Sequence, residues 1–134
     1  MLLVKTKIGQ SKIHGIGLFA DQFIKKGTPI WKFTPSLDLK LNEKQLMSLP
    51  KLAKECVLHY CYHSVVDGAY VLCFDDARFF NHSKKPNTTS IDAAGDPEGL
   101  EMASRDIQSG EELLCDCTEF DVDCRDGNED YAKC

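Results

Sequence analysis

No apolar run in the 134 residues approaches the roughly 20 that a membrane-spanning helix needs, so a membrane protein is not expected. The opening Met1-Leu2-Leu3-Val4-Lys5 is too short for a signal-peptide core and carries no cleavage site, so export is not expected either. Internal repeats and low-complexity linkers are missing. With this length, their absence points to one domain, or one domain plus a short tail. A basic excess is also lacking: the net charge is −5 and the pI about 5.3. The acid is concentrated. Residues 111–130 hold nine acids against the single base Arg125, a local net charge of −8. Direct nucleic-acid binding is disfavoured at that end, and a basic peptide would be attracted to it.

What is present is an ordinary globular composition, 43% apolar and 28% charged, enough for a real core. The seven cysteines are an odd number without an export signal, which argues for reduced thiols and an intracellular protein. Cys56, Cys61 and Cys73 stand in apolar company and read as small buried hydrophobes.

The residues from Leu2 to Ile8 read as a strand, and Gly9-Gln10-Ser11-Lys12 as a turn. Ile16 to Ala20 is a short apolar stretch, Lys25-Lys26-Gly27 a turn, and Pro29 to Phe33 a strand. Asn42, with Gln45 three residues on, predicts a helix start. Pro50 predicts a second helix to about Tyr62, with Leu52, Cys56 and Tyr60 on one face. Tyr70 to Phe74 and Leu100 to Ser104 are further strands, and Ser109-Gly110 is a turn before Leu113-Leu114. Short strands around a helical middle give a mainly β, β-rich α+β fold.

Three segments carry chemistry. In Ser11-Lys12-Ile13-His14-Gly15-Ile16-Gly17-Leu18-Phe19-Ala20, the glycines let a backbone approach a ligand without a Cβ in the way. In Arg78-Phe79-Phe80-Asn81-His82-Ser83, with Pro86-Asn87 following, dense hydrogen-bonding capacity comes straight after two aromatics. The third is Gly110-Glu111-Glu112-Leu113-Leu114.

In this order and spacing the three segments resemble the SET-domain family of protein lysine methyltransferases, in a minimal form like its bacterial or viral members. The resemblance covers roughly residues 3 to 120. It implies several short β-sheets, a helical insert at about 36–69, and a C-terminal segment threaded in a pseudoknot-like way beside Asn81-His82. The SET domain would then be residues 1–117, and residues 118–134 an acidic C-terminal tail.

The activity implied is methyl transfer from S-adenosylmethionine to a lysine Nε of a protein. The cofactor would lie against Gly15, Ile16 and Gly17, with Arg78, Asn81 and His82 on its other side and Phe120 stacking on adenine. Phe120 as a core anchor and Arg78 paired with Asp75 or Asp76 are the bland alternatives. The implied partner is a basic, lysine-containing protein or peptide, with neither nucleic acid nor membrane; a homodimer is left open. The location would be cytoplasmic for a bacterial or viral chain and nuclear for a eukaryotic one.

The resemblance breaks at one place. The family's third segment ends on a tyrosine that lines the transfer channel, and here that position is Cys117, with Cys115 two residues earlier. A thiol is smaller than a phenol and a weaker donor. Tyr131, or else Tyr60, Tyr62 or Tyr70, is a candidate substitute. The alternative is a catalytically impaired SET-fold module that binds cofactor or peptide. Some family members hold zinc with terminal cysteines. Here Cys124 and Cys134 are irregularly spaced and Ser83-Lys84-Lys85 offers no core cysteine, so no metal is expected.

Overall fold

The computed structural model describes residues 1–127; Tyr131 and Cys134 lie outside the described residues. The strands are β1 (Thr6–Gln10), β2 (Ile16–Ala20), β3 (Pro29–Lys32), β4 (Leu39–Leu41), β5 (Tyr62–His63), β6 (Tyr70–Leu72), β7 (Asn81–His82), β8 (Thr88–Ala93), β9 (Asp96–Ala103) and β10 (Leu114–Cys115). The helices are α1 (Glu43–Met47), α2 (Lys51–Tyr60) and α3 (Val122–Arg125). The described strands form four small sheets: β1–β2, β3–β9–β8, β4–β6–β5 and β7–β10. Among the described residues no helix is long and apolar enough to cross a membrane.

Three packed clusters hold these pieces together. Leu18, Ala20, Ile24, Ile30, Ile107 and Leu113 are all essentially inaccessible and join β2 to the approach to β10. Trp31, Phe33, Val71 and Cys73 tie β3 to β6. Leu41, Leu46, Val57 and Cys61 seat the two helices on β4. Burial of such side chains contributes roughly 1.5–3 kcal/mol each.

β10 runs parallel to β7, pairing Leu114 with Asn81 and Cys115 with His82. The segment after β7 then clasps it. Ser83 N–H donates to Cys115 O at 2.9 Å and Asn87 N–H to Leu114 O at 3.1 Å. The Asn87 side chain receives Leu114 N–H and donates to Glu112 O, both at 2.8 Å. A side-chain amide thus serves as one more peptide unit for the C-terminal segment.

Several expectations are corrected. The first strand starts at Thr6 and runs through Gly9-Gln10, because its register is set by pairing with β2; Leu2 makes only a single bridge to Trp31. The turn is moved to residues 11–15, closed by Ser11 N–H to Gly15 O at 2.8 Å. Asn42 and Gln45 do form a reciprocal capping box. Helix α2 ends at Tyr60, since Cys61 is extended and Tyr62 pairs with Val71. Its buried face is not the one expected. Val57 is buried, whereas Leu52 is 78% exposed and Cys56 is exposed. The helix packs by the stripe next to Leu41 and Leu46, leaving the Leu52–Cys56 side to solvent. Cys61 and Cys73 are buried as expected. The polar strand β8 had no apolar signal; β9 holds it, with Thr88 to Ile91 opposite Ala103 to Leu100.

Residues 118–127 pack onto this frame. Asp121 is fully buried, bridges to Ser64 and caps α3 through Asp123 N–H.

Candidate functional site

The turn between β1 and β2 is held open from within. Ser11 Oγ accepts the N–H groups of Ile13 at 2.8 Å and His14 at 3.2 Å. Gly15 has φ +47°, a left-handed conformation that favours glycine, and a Cβ there would meet nothing within 4 Å. The Asn81 side chain, buried at 3% exposure, donates from Nδ2 to His14 O at 3.0 Å, Ile16 O at 3.3 Å and Glu112 Oε1 at 2.8 Å. Asn81 therefore ties the glycine turn to the third sequence segment.

Gly17 serves this tie rather than a ligand. The space a Cβ would need is filled by the Glu112 carboxylate. Phe19 faces Glu112 across an isolated antiparallel bridge, which brings the Glu112 backbone beside β2.

Around this lock lies a cleft of about 170 Å³, walled by His14, Gly15, Ile16, His59, Tyr60, Arg78, Phe79 and Asn81. Arg78 is braced by Nε to Asp75 O at 3.2 Å and NH2 to Phe74 O at 2.9 Å. Its guanidinium sits 5.5 Å from the Tyr60 ring centre, and Tyr60 meets Phe79 edge-on at 6.0 Å. The bracing goes to backbone carbonyls. The Asp75 carboxylate is occupied by Leu2 N–H and Ala77 N–H.

Tyr60 and Arg78 also wall a second, inner cavity of about 80 Å³. Its other walls include the rings of Trp31, Tyr62, Phe80 and Phe120, the thiols Cys61, Cys73 and Cys115, and the carboxylates Glu98 and Glu101. Tyr62 O–H donates to Glu98 Oε2 at 2.9 Å, and Phe120 stands edge-on to Tyr62 at 5.2 Å. Glu98 also receives Ser64 O–H at 2.7 Å and the Lys40 ammonium at 2.5 Å. Burial, and then the Glu98 charge, push the Tyr62 phenol well above its usual range, so it stays protonated.

Glu101 is different. It is 7% exposed, takes hydroxyl hydrogen bonds from Thr88 and from Ser90 at 2.6 Å, and is pushed up to about 7 by burial. The hydroxyls lower it and Glu119 raises it further.

Beyond β10, Cys117 is buried and joined to Cys124 in a disulfide. This corrects the expectation of reduced thiols at these two positions. The turn at residues 117–119 and the start of α3 bring the two Cα atoms to 5.9 Å, within bridging reach. His82 Nδ1 accepts Cys117 N–H at 3.2 Å and lies 3.2 Å from its sulfur.

The structure thus gathers Gly15, Ile16, Arg78 and Asn81 on one cleft, with Gly17 just behind it. His82 is turned toward Cys117 and walls neither cavity, Phe120 walls the inner one, and of the two cysteines Cys115 is the wall residue there. Tyr70 stacks on His63 at 4.5 Å, away from both, and Tyr131 lies outside the described residues. His59, Glu98 and Glu101 were not anticipated. The last turn of α2 was the available signal for His59; nothing in the local pattern marked the two glutamates. No group of three or more His, Cys, Asp or Glu side chains suited to a metal occurs among the described residues.

Comparison with known proteins shows the family. The SET domain family model matches residues 15–118. A histone-lysine N-methyltransferase, ATX2 of Arabidopsis thaliana, is 30% identical over 132 residues, covering 87% of this chain. The N-lysine methyltransferase KMT5A-A of Danio rerio is 34% identical over 111 residues, covering 76% of this chain. The matches span 11% and 32% of those relatives' lengths. A crystal structure of a candidate histone methyltransferase from Plasmodium falciparum superposes with TM-score 0.58 at 21% identity, covering 86% of this chain and 94% of that one, a likeness of fold. Gly15, the Asn81 lock and the clasped C-terminal strand fall within the matched span, and the chain belongs to the SET-domain family.

Proposed function

We propose that this chain transfers a methyl group from S-adenosylmethionine to a lysine Nε of a basic protein. The observation that carries the reading is the pair of cavities sharing Tyr60 and Arg78 as a common wall. In-line displacement needs the amine and the methyl donor to meet through such a wall from opposite sides.

The outer cleft fits the cofactor. Gly15 leaves a space no Cβ fills, Tyr60 and Phe79 offer ring faces, and the His14–Ile16 backbone offers polar atoms. Gly15, Ile16, Arg78 and Asn81 would hold it. When bound, it supplies an electrophilic methyl on a sulfonium. The inner cavity receives the lysine. Its rings exclude water, and desolvation favours the neutral amine over the ammonium, whose ordinary pKa is about 10.4. Tyr62 O–H is committed to Glu98, which leaves its oxygen free to accept from the incoming N–H. The acids Asp116, Glu119, Asp123 and Asp126 stand around the segment carrying Phe120 and draw in a basic substrate.

A second reading has its own observation. Cys117, which the resemblance puts at the family's tyrosine position, is tied to Cys124 and does not wall the inner cavity. A catalytically impaired module binding cofactor or peptide would follow. Calorimetry with S-adenosylmethionine, together with label transfer to a lysine-rich basic peptide, separates the two. Binding with turnover supports the transferase. Binding without turnover supports the module, and no binding at all refutes both.

A further inference from the structure

The inner cavity has a chemical problem to solve. A lysine enters as an ammonium and must lose a proton before its nitrogen can attack. Most of the polar groups in the walls cannot take that proton. Glu98 is matched by the Lys40 ammonium and already accepts from Tyr62 and Ser64. Tyr62 is held protonated, burial pushes the Cys61 thiol up to about 12 and raises Cys73 as well, the Cys115 thiol donates to Asn81 O at 3.7 Å, and Arg78 is a cation. Glu101 remains. Among the described residues no ion pair reaches it; its partners are two neutral hydroxyls, the fully buried Thr88 and Ser90, which itself walls the cavity.

We propose that Glu101 is the proton acceptor for the substrate amine, and so a catalytic residue of the methyl transfer. This rests on the transferase reading above. In the step, one N–H bond of the ammonium breaks and an O–H bond forms on the Glu101 carboxylate, leaving a neutral amine. The nitrogen lone pair then forms the N–C bond to the methyl as the C–S bond breaks, its electron pair going to sulfur. The proton on Glu101 returns to solvent past Ser90, whose backbone N–H is bonded at 2.8 Å to the exposed carboxylate of Glu119.

The setting suits the task. About 80 Å³ holds the tip of an alkylammonium, roughly two to three waters' worth of space. The charged and titratable groups facing Glu101 are Glu119 from the turn after β10, Glu98 on its own strand β9 with Lys40 from β4, Tyr62 from β5, Arg78 ahead of β7, and the thiols in the walls. An acceptor that titrates near neutrality is close to the optimum for proton transfer at cellular pH.

Two measurements decide it. Methyl transfer to a lysine-rich basic peptide is followed from pH 5.5 to 9 in the wild type and Glu101→Gln. The wild type should show a break near pH 7; the variant should lose that break and at least about 100-fold in kcat, with S-adenosylmethionine affinity unchanged. Independently, the Glu101 carboxyl is titrated by carbon-13 NMR in the wild-type protein, with and without n-butylammonium. The cation should move the midpoint downward by a pH unit or more, because it favours the carboxylate. A variant that keeps the break, or a midpoint that n-butylammonium leaves in place, overturns the assignment. If wild-type protein binds cofactor but transfers no methyl, the transferase reading fails, and the NMR titration still decides whether Glu101 meets an ammonium.

Discussion

Alanine at Gly17 should destabilise the protein through one neighbour, and a mutant cycle can show that it does. Gly17 has no positive φ, so the backbone tolerates alanine. The new Cβ would stand on the Glu112 carboxylate, 2.9 Å from Cδ, with Ser11 Cβ at 3.1 Å. Glu112 must swing away and give up its 2.8 Å bond from Asn81. Asn81 keeps two carbonyl acceptors for its two N–H donors, so the loss is one hydrogen bond to a charged group, about 2 kcal/mol. Glu112→Ala removes the same bond and should cost about the same. In Gly17→Ala/Glu112→Ala the Cβ enters vacated space, and the double variant should be no less stable than Glu112→Ala alone. The coupling is then about 2 kcal/mol, a shift of roughly 1 M in urea midpoint. Urea unfolding followed by Trp31, the single tryptophan and 8% exposed, reads all four proteins. Simple additivity of the two single costs would refute the idea that Gly17 is there for Glu112.

Other outcomes follow from the same geometry. Glu101 binds its proton more tightly folded than unfolded, its pKa rising from 4.5 to about 7, so its contribution is present at low pH and lost as pH rises through that window. Unfolding free energies at pH 4.5 and 8 should show Glu101→Gln gaining up to about 3 kcal/mol on the wild type between them; parallel profiles would contradict the burial argument. The Cys117–Cys124 bridge closes a loop with sequence separation 7, worth about 2.5 kcal/mol of chain entropy. Dithiothreitol should therefore lower wild-type stability by about that much and leave Cys124→Ser unmoved, whereas equal responses would mean the thiols are not bridged. Tyr62→Phe removes one donor from Glu98 while Lys40 and Ser64 remain. It should cost about 1.5–3 kcal/mol in a thermal or urea melt and raise KM for a lysine peptide; an unchanged KM would place the substrate elsewhere.

Much of the architecture was legible because it depends on residues with narrow uses. Gly15, Asn81 and the Gly110–Leu114 segment are recognisable in sequence, and the structure connects them through Asn81 and Glu112. The Asn42–Gln45 capping box was legible for a similar local reason. Long-range packing was not. Four-residue spacing put Leu52 and Cys56 on the buried face of α2, but the side that buries is chosen by Leu41 and Leu46 from elsewhere in the chain. Strand β8 is polar and exists through its pairing with β9. Glu101 sits in a strand where alternation alone cannot say which neighbour is a carboxylate's host. Gly17 was assigned to a ligand and instead makes room for a side chain 95 positions later in the sequence. The Cys117–Cys124 pairing follows from a turn and a short helix that no cysteine count specifies.

The Asn87 clasp has a consequence for how the molecule is made. Chains leave the ribosome from the N-terminus, and early segments ordinarily settle first. Here the glycine turn, Asn81 and Asn87 all emerge while their partners Glu112 and Leu114 are still unsynthesised. Asn81 waits without its Glu112 acceptor and Asn87 with both of its side-chain bonds unmade. The outer cleft therefore assembles as a late, non-local event, after residues 112–115 have been delivered and drawn beside β7. A nascent chain stalled before residue 112 should be open to proteases around residues 81–87, and one released just beyond residue 115 should be the first that closes. The most conspicuous part of the sequence is then among the last parts of the fold to become real.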